Sequence, residues 1–171
     1  MSDLWRNLPL FGREHVDESG VGRGWGDELA AVRVAADAAL EAHPDADAAQ
    51  AFEAALRPGR APRSGKPRTV KLAELDRAVY AYLDLTTRLG LPPQLPERAG
   101  GAVALGRAAA APTEIRAVIS GHALRATDAG WEFGRGPVLE ATAAEMLEFL
   151  GGRSLSAPRP AAHPEPHEEN E

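Results

Sequence analysis

The chain reads as an α+β protein, a helical bundle followed by a small antiparallel meander with a closing helix. Three observations predict this. Apolar residues recur at helical spacing in three segments, 27–43, about 47–56 and 72–89, as the buried stripe of a helix requires. The period then changes to two at Trp131-Glu132-Phe133, as in a half-buried strand. Finally, Thr142 and Glu145 have capping-box spacing ahead of Met146, Leu147, Phe149 and Leu150, and Gly151-Gly152 follow, a complete helix with start and stop signals.

Composition narrows the function classes. A length of 171 residues suits one domain, or a bundle with a small appended unit, and 44% hydrophobic residues suffice for a core. Much of that fraction is Ala, which favours close-packed helices. The net charge of −6 argues against general binding to nucleic acid or anionic membranes. With no Cys, disulfides, a zinc–thiolate site and a Cys nucleophile are excluded. Met1-Ser-Asp-Leu-Trp-Arg has no apolar signal region and no run approaches membrane-spanning length, so a soluble cytoplasmic protein is expected.

Residues 1–26 form an irregular lead-in. Leu4, Trp5, Leu8, Leu10 and Phe11 are followed by Gly20, Gly22, Gly24 and Gly26. A phosphate-cradling G-x-G-x-x-G fails because Trp25 or Asp27 stands where the third Gly belongs. The simpler reading has Trp5, Phe11 and Trp25 docked on the helices. Asp27 to His43 is the first helix, with Leu29, Val32, Ala36 and Leu40 on its stripe, Asp27 as its cap and Pro44 as its stop. A second runs from about Asp47 to Leu56, with Phe52 and Leu56 inward. Arg57 to Lys71 is a basic linker: Arg57, Arg60, Arg63, Lys66, Arg68 and Lys71 with no acid. Without an interleaved aromatic to stack on bases, a solvated linker is favoured over a phosphate or RNA patch.

Leu72 to Leu89 is the longest periodic segment. Leu72, Leu75, Val79, Tyr82, Thr86 and Leu89 step by three and four, Gly90 caps the run and Pro92-Pro93 end it. It should line the middle of the bundle. Pro96 to Ala111 is a weaker helix, and Gly100, Gly101 and Gly106 either interrupt it or permit close approach. In the small unit, 112–153, Ala117-Val-Ile119 and Leu124-Arg-Ala126 read as strands about a Ser120-Gly121-His122 turn, with Gly121 at positive φ. Thr127-Asp128-Ala129-Gly130 is a second turn, which Asp128 closes on its own backbone. Residues 154–171, rich in Pro, His and Glu, are expected to be disordered. His163 and His167 lie four apart, but Pro164 and Pro166 forbid a shared helical face.

The run ATDAGWEFGRGPVLEATAAEMLEFLGGR resembles the C-terminal segment of the mycothiol-dependent maleylpyruvate isomerase family of actinobacteria. Tyr82-Leu-Asp84-Leu-Thr-Thr-Arg-Leu-Gly90-Leu-Pro92 resembles that family's last bundle helix and its exit. The likeness spans Leu72 to Arg153. It implies a DinB-like four-helix bundle in which His residues and a carboxylate hold a divalent metal. That metal activates the mycothiol thiolate by lowering its pKa.

The ligands depart from the family's pattern. Aligning Leu89-Gly90-Leu91-Pro92 on the family's exit puts Ala81 and Tyr82 where a His belongs, and Asp84 on the carboxylate position. A protonated phenol is a poor ligand at neutral pH. A rebuilt site has His15, His43 and Asp84 to draw on, none in an H-E-x-x-H arrangement. The expectation is therefore a divergent relative without the metal, acting as a binding or interaction module. No residue is assigned a catalytic role, and Tyr82, Asp84, His122, Asp128 and Trp131 are binding candidates. No cofactor is expected. The alternative is an active thiol-dependent isomerase or transferase using zinc or another divalent metal with mycothiol. A further alternative is a nucleic-acid-associated protein using the basic linker. Because the early His-bearing helix of the family is missing, a second copy or a partner chain is a candidate to complete the bundle.

Overall fold

The computed structural model describes residues 24–57 and 69–161. Readings made for Trp5, Phe11, His15, the middle of the basic linker, His163 and His167 lie outside the described residues. Four helices come first: α1 (Gly26–Ala42), α2 (Ala46–Leu56), α3 (Leu72–Leu89) and α4 (Glu97–Ala109). They are followed by α5 (Thr113–Ile119), β1 (Ala123–Ala126), β2 (Glu132–Gly134), β3 (Val138–Ala141), α6 (Ala143–Leu150) and β4 (Arg159–Pro160). The class is α+β, six helices and a four-stranded mixed sheet among the described residues.

Helix α3 is central, as its periodicity predicts. Leu75, Ala78 and Val79 are wholly inaccessible, and Tyr82, Leu83, Leu85 and Thr86 are nearly so. Helices α1, α2 and α4 pack on it. Burial runs almost around the helix, so a stripe read at spacings of three and four undercounts it. Gly90 takes φ +67 as the cap, and the Leu91 amide reaches back to the Thr86 carbonyl at 2.9 Å, the left-handed termination that glycine makes accessible. Asp45 caps α2 by accepting from the Ala48 amide at 2.8 Å. Asp27 does not cap α1. That helix begins one residue earlier, Trp25 stands at its cap without a side-chain bond, and Asp27 falls in the first turn.

The small unit corrects the sequence reading in three places. Ala117-Val-Ile119 is not a strand but the end of α5. Pro112 precedes that helix, and Ile115 and Ile119, four apart, turn to the core. β-branched residues favour strands only when their face is supported by a neighbouring strand, and here the core supports a helical face. Next, the sheet is not an antiparallel meander. Its order is β2-β1-β3-β4, with β1 and β3 parallel and the outer pairs antiparallel. The chain therefore leaves edge strand β2 and passes the start of β1 to reach β3 through Arg135-Gly136-Pro137 alone. Gly136 has φ +107, and a Cβ there would run into the Gly121 carbonyl. Gly121 itself takes φ +77, the positive value expected of it. Lastly, the Pro-rich tail is ordered as far as residue 161. β4 pairs Arg159 with Glu140 and Pro160 with Leu139, and the Ala161 amide donates to the Val138 carbonyl at 2.9 Å. Proline is tolerated there because β4 is an edge.

The sheet and the helices share one core. Leu124, Leu139, Met146, Leu147 and Leu150 join the same buried cluster as Val32, Phe52 and Leu75. The α6 capping box is formed as its spacing predicts, with Thr142 Oγ1 accepting from Glu145 N and Glu145 accepting from Thr142 N.

Tyr80 ties α3 to α6, donating its hydroxyl to the Leu147 carbonyl at 2.7 Å. Arg107 and Arg153 lie over its ring at 4.8 and 5.2 Å, and Arg107 is held by a two-pronged pair with Asp76 at 2.6 and 2.7 Å. Burial pushes the Tyr80 phenol up to about 12, against a smaller opposing pull from Arg107. The folded value exceeds the unfolded one of 10.0, so this contribution to stability is complete below pH 10 and is lost as pH rises towards 12. Allowing for solvent screening, it amounts to on the order of 1–2 kcal/mol. Urea midpoints measured across pH 9 to 12 should fall more steeply in the native chain than in Tyr80→Phe; equal slopes would mean that this phenol is not held protonated by the fold.

Candidate functional site

A concavity of about 670 Å³ lies between α3, the β3–β4 edge and α6. Leu83, Thr86 and Thr87 of α3 form one wall. Glu140 and Ala141 of β3 continue into Thr142, Ala144, Glu145 and Glu148 at the start of α6 to form another. Residues Ser156 to Pro160 close the third side. Because the third wall is the ordered start of the tail, the groove exists only where β4 is paired.

Its charges are three carboxylates and one guanidinium, and the carboxylates have partners within the chain. Glu140 accepts from Arg125 at 2.7 Å, and the pair raises the Arg125 value. Glu148 accepts from Arg153 Nε at 3.1 Å. The Thr142 amide and hydroxyl hold the Glu145 carboxyl below its usual range, with Arg159 adding to the effect. Thr86 and Thr87 both return their hydroxyls to the Leu83 carbonyl, at 3.0 and 2.8 Å. The groove therefore offers satisfied polar walls and apolar patches, which suit weakly polar recognition better than a charge-driven reaction.

The residues singled out from sequence do not meet here, and none of Tyr82, Asp84, His122, Asp128 and Trp131 lines this groove. Tyr82 is buried in α3. Its hydroxyl donates to the Gln94 carbonyl at 3.3 Å and accepts from the Gln94 amide at 3.1 Å, the local satisfaction a core tyrosine needs. Asp84, two positions on, faces outward and pairs with Arg153. His43 is the exposed C-cap residue of α1. His122 is half-buried, with Nδ1 3.1 Å from the Ser120 carbonyl. Asp128 does not close its own turn; it reaches across to α6 and accepts from the Ala143 amide at 2.6 Å, a second cap on that helix start.

Trp131 lies against α4, where a Cβ on Gly101 would come within 3.1 Å of its ring, and stacks on Phe133 at 5.7 Å between centroids. Gly100 and Gly101 therefore serve close approach. The indole Nε1 is the one buried side-chain polar atom without a partner among the described residues. No three His, Asp or Glu side chains among the described residues stand where they could share a metal ion.

Thr86, Glu140, Glu145 and Arg159 escaped the sequence reading as groove residues for separate reasons. Thr86 sat on the buried stripe, Glu145 was absorbed by its cap, and Arg159 fell in a tail expected to be disordered. Only the adjacent threonines, Thr86-Thr87, near the end of α3 were a readable signal.

Fold and site together define an α+β protein with an open, internally neutralised groove at a helix–sheet junction. The chain matches no family model, no curated protein and no solved structure. No helix among the described residues is long and apolar enough to cross a membrane.

Proposed function

We propose that the protein is a non-catalytic binding module, a divergent relative of the mycothiol-dependent maleylpyruvate isomerase family with its DinB-like bundle, in which the metal-binding positions have been converted to structural use. The observation that carries this reading is the engagement of Tyr82 and Asp84. Tyr82, aligned on the imidazole position, has its hydroxyl committed in both directions to the backbone of Gln94. Asp84, aligned on the carboxylate position, is turned out of the bundle onto Arg153. Two residues apart on one helix, the side chains leave in different directions, so they cannot converge on one ion.

The ligand would occupy the groove between α3, β3–β4 and α6. Maleylpyruvate is a dianion, and this groove disfavours it, because Arg125 and Arg153 are already engaged by Glu140 and Glu148, and Arg159, the one cation among the described residues that line the groove, lies near Glu145. This supports binding over isomerase or transferase chemistry. It gives no support to zinc or mycothiol as resident cofactors.

Elemental analysis of protein purified without a His tag tests the reading. Divalent metal is expected far below one equivalent per chain after gel filtration, and unchanged by Asp84→Asn. One equivalent of zinc that is lost in Asp84→Asn, His43→Ala or His15→Ala would restore the enzyme reading.

A further inference from the structure

The sheet has an edge at β4 and an edge at β2, and the chain treats them differently. On β4, Arg159 pairs with Glu140 and the Ala161 amide donates to the Val138 carbonyl at 2.9 Å. Residues 159 and 161 therefore turn their backbone to β3, and alternation leaves residue 160 facing outward. That residue is Pro160, which has no N–H to offer, so this edge is blunted.

The β2 edge lacks such a block. The Ala126 amide donates to the Trp131 carbonyl at 3.2 Å, and Leu124 pairs with Phe133. Trp131 and Phe133 thus turn their backbone to β1, while Glu132 and Gly134 turn theirs outward. These outward groups have no hydrogen-bond partner among the described residues. The side chains beside them are also free to pair. Glu132, Gly134 and Arg135 are exposed. Glu132 lies 3.9 Å from Arg125, whose closer partner is Glu140 at 2.7 Å. Arg135 has no ion-pair partner among the described residues.

This edge is complementary to itself. Laid antiparallel on a second copy with Phe133 opposite Phe133, β2 sets Glu132 against Gly134, and the outward backbone groups of that pair can exchange ladder hydrogen bonds. The two Phe133 rings then meet in the narrower, non-bonded pair, where aromatic side chains come close. Phe133 is half-buried and already stacked on Trp131 at 5.7 Å between centroids, so the second ring extends an existing stack. In this register each Glu132 is offset by one residue from the other copy's Arg135 and by two from the other Glu132. Opposite charges therefore come nearer than like charges. A parallel pairing in register would set Glu132 on Glu132 and Arg135 on Arg135.

We infer that two copies of this chain join through β2, antiparallel about Phe133, to form one continuous sheet. The strand is short, so the contact is small and the dimer is weak and concentration-dependent.

Sedimentation of the full chain across an about hundredfold range of concentration tests this, and the mass should rise from one chain towards two. Glu132→Arg makes the edge wholly positive and Arg135→Glu makes it wholly negative. Each variant alone should stay monomeric where the native chain pairs, and an equal mixture of the two should form dimers again. In the native chain, the Glu132 and Gly134 amides should gain hydrogen-exchange protection as concentration rises, while the α2 amides do not change; this readout needs no variant. A native chain that stays monomeric throughout overturns the inference, as does a dimer that leaves the Glu132 and Gly134 amides unprotected. Variants that keep the native circular dichroism yet stay apart when mixed overturn it as well, because the antiparallel register requires their attraction.

Discussion

Trp131→Ala is expected to destabilise the protein by about 3 kcal/mol, the lower end of the range for truncating a large aromatic. Trp131 is only partly buried, which argues for the lower end. Its indole Nε1 is buried without a partner, so truncation also removes a desolvated donor and returns part of the loss. The remaining loss is geometric. The ring lies on Gly100 and Gly101 and stacks on Phe133. Glycines have no side chain to move into the space the ring leaves, so the cleft between α4 and the sheet stays open. The melting temperature should drop by about 10 °C. Gly101→Ala should also destabilise, because its Cβ would press on the ring at 3.1 Å, and the two changes should be strongly non-additive. A loss below about 1 kcal/mol for Trp131→Ala would mean the ring is displayed rather than packed, and would return Trp131 to the binding candidates.

Gly136→Ala should have a comparable effect, on the order of 3 kcal/mol, from strain at a backbone conformation that L-residues avoid together with a clash. At φ +107 an L-residue is strained whatever the space around it, and here the Cβ meets the Gly121 carbonyl. Relief would need the link between β2 and β3 to lift away from the start of β1. The Ala123 amide, which donates to the Pro137 carbonyl at 3.0 Å, would lose its partner. The consequence should be confined at first to the sheet. Hydrogen exchange of the β1 and β3 amides should accelerate far more than that of the α3 amides. Equal acceleration in both would show that the small unit and the helices unfold as one, and uniform protection would show that the crossing tolerates a side chain.

The residues that were legible are those whose signal is local. Leu72–Leu89 was readable end to end because its apolar period, Gly90 and Pro92-Pro93 agree on one helix. Thr142 and Glu145 were readable because a capping box involves only four consecutive residues. Ala117-Val-Ile119 misled because β-branched residues carry no helical signal by themselves, and what made them helical was the burial of Ile115 and Ile119 against distant elements. The antiparallel meander misled because strand order is not a property of any strand. Arg159 and Asp128 misled for the same reason, since their partners, Glu140 and Ala143, are nineteen and fifteen residues away.

The candidate site shows the same division more sharply. Tyr82 and Asp84 attracted notice through their alignment with a family's ligand positions, and the sequence placed both correctly on a helix. That Tyr82 turns to Gln94 while Asp84 turns to Arg153 depends on what packs on each side of α3, which a spacing of two residues does not contain. By itself the amino-acid sequence determined the absence of any cysteine thiol, the apolar faces of the first three helices, the end of α3, the capped start of α6 and the α+β class, because these rest on residue chemistry and short-range hydrogen bonds. Only the tertiary structure decided the mixed sheet, the threading of Gly136 past β1 and the groove closed by residues 156–160. Each of those requires segments far apart in sequence to occupy one place, and the free energy that holds them there comes from surfaces neither segment carries alone.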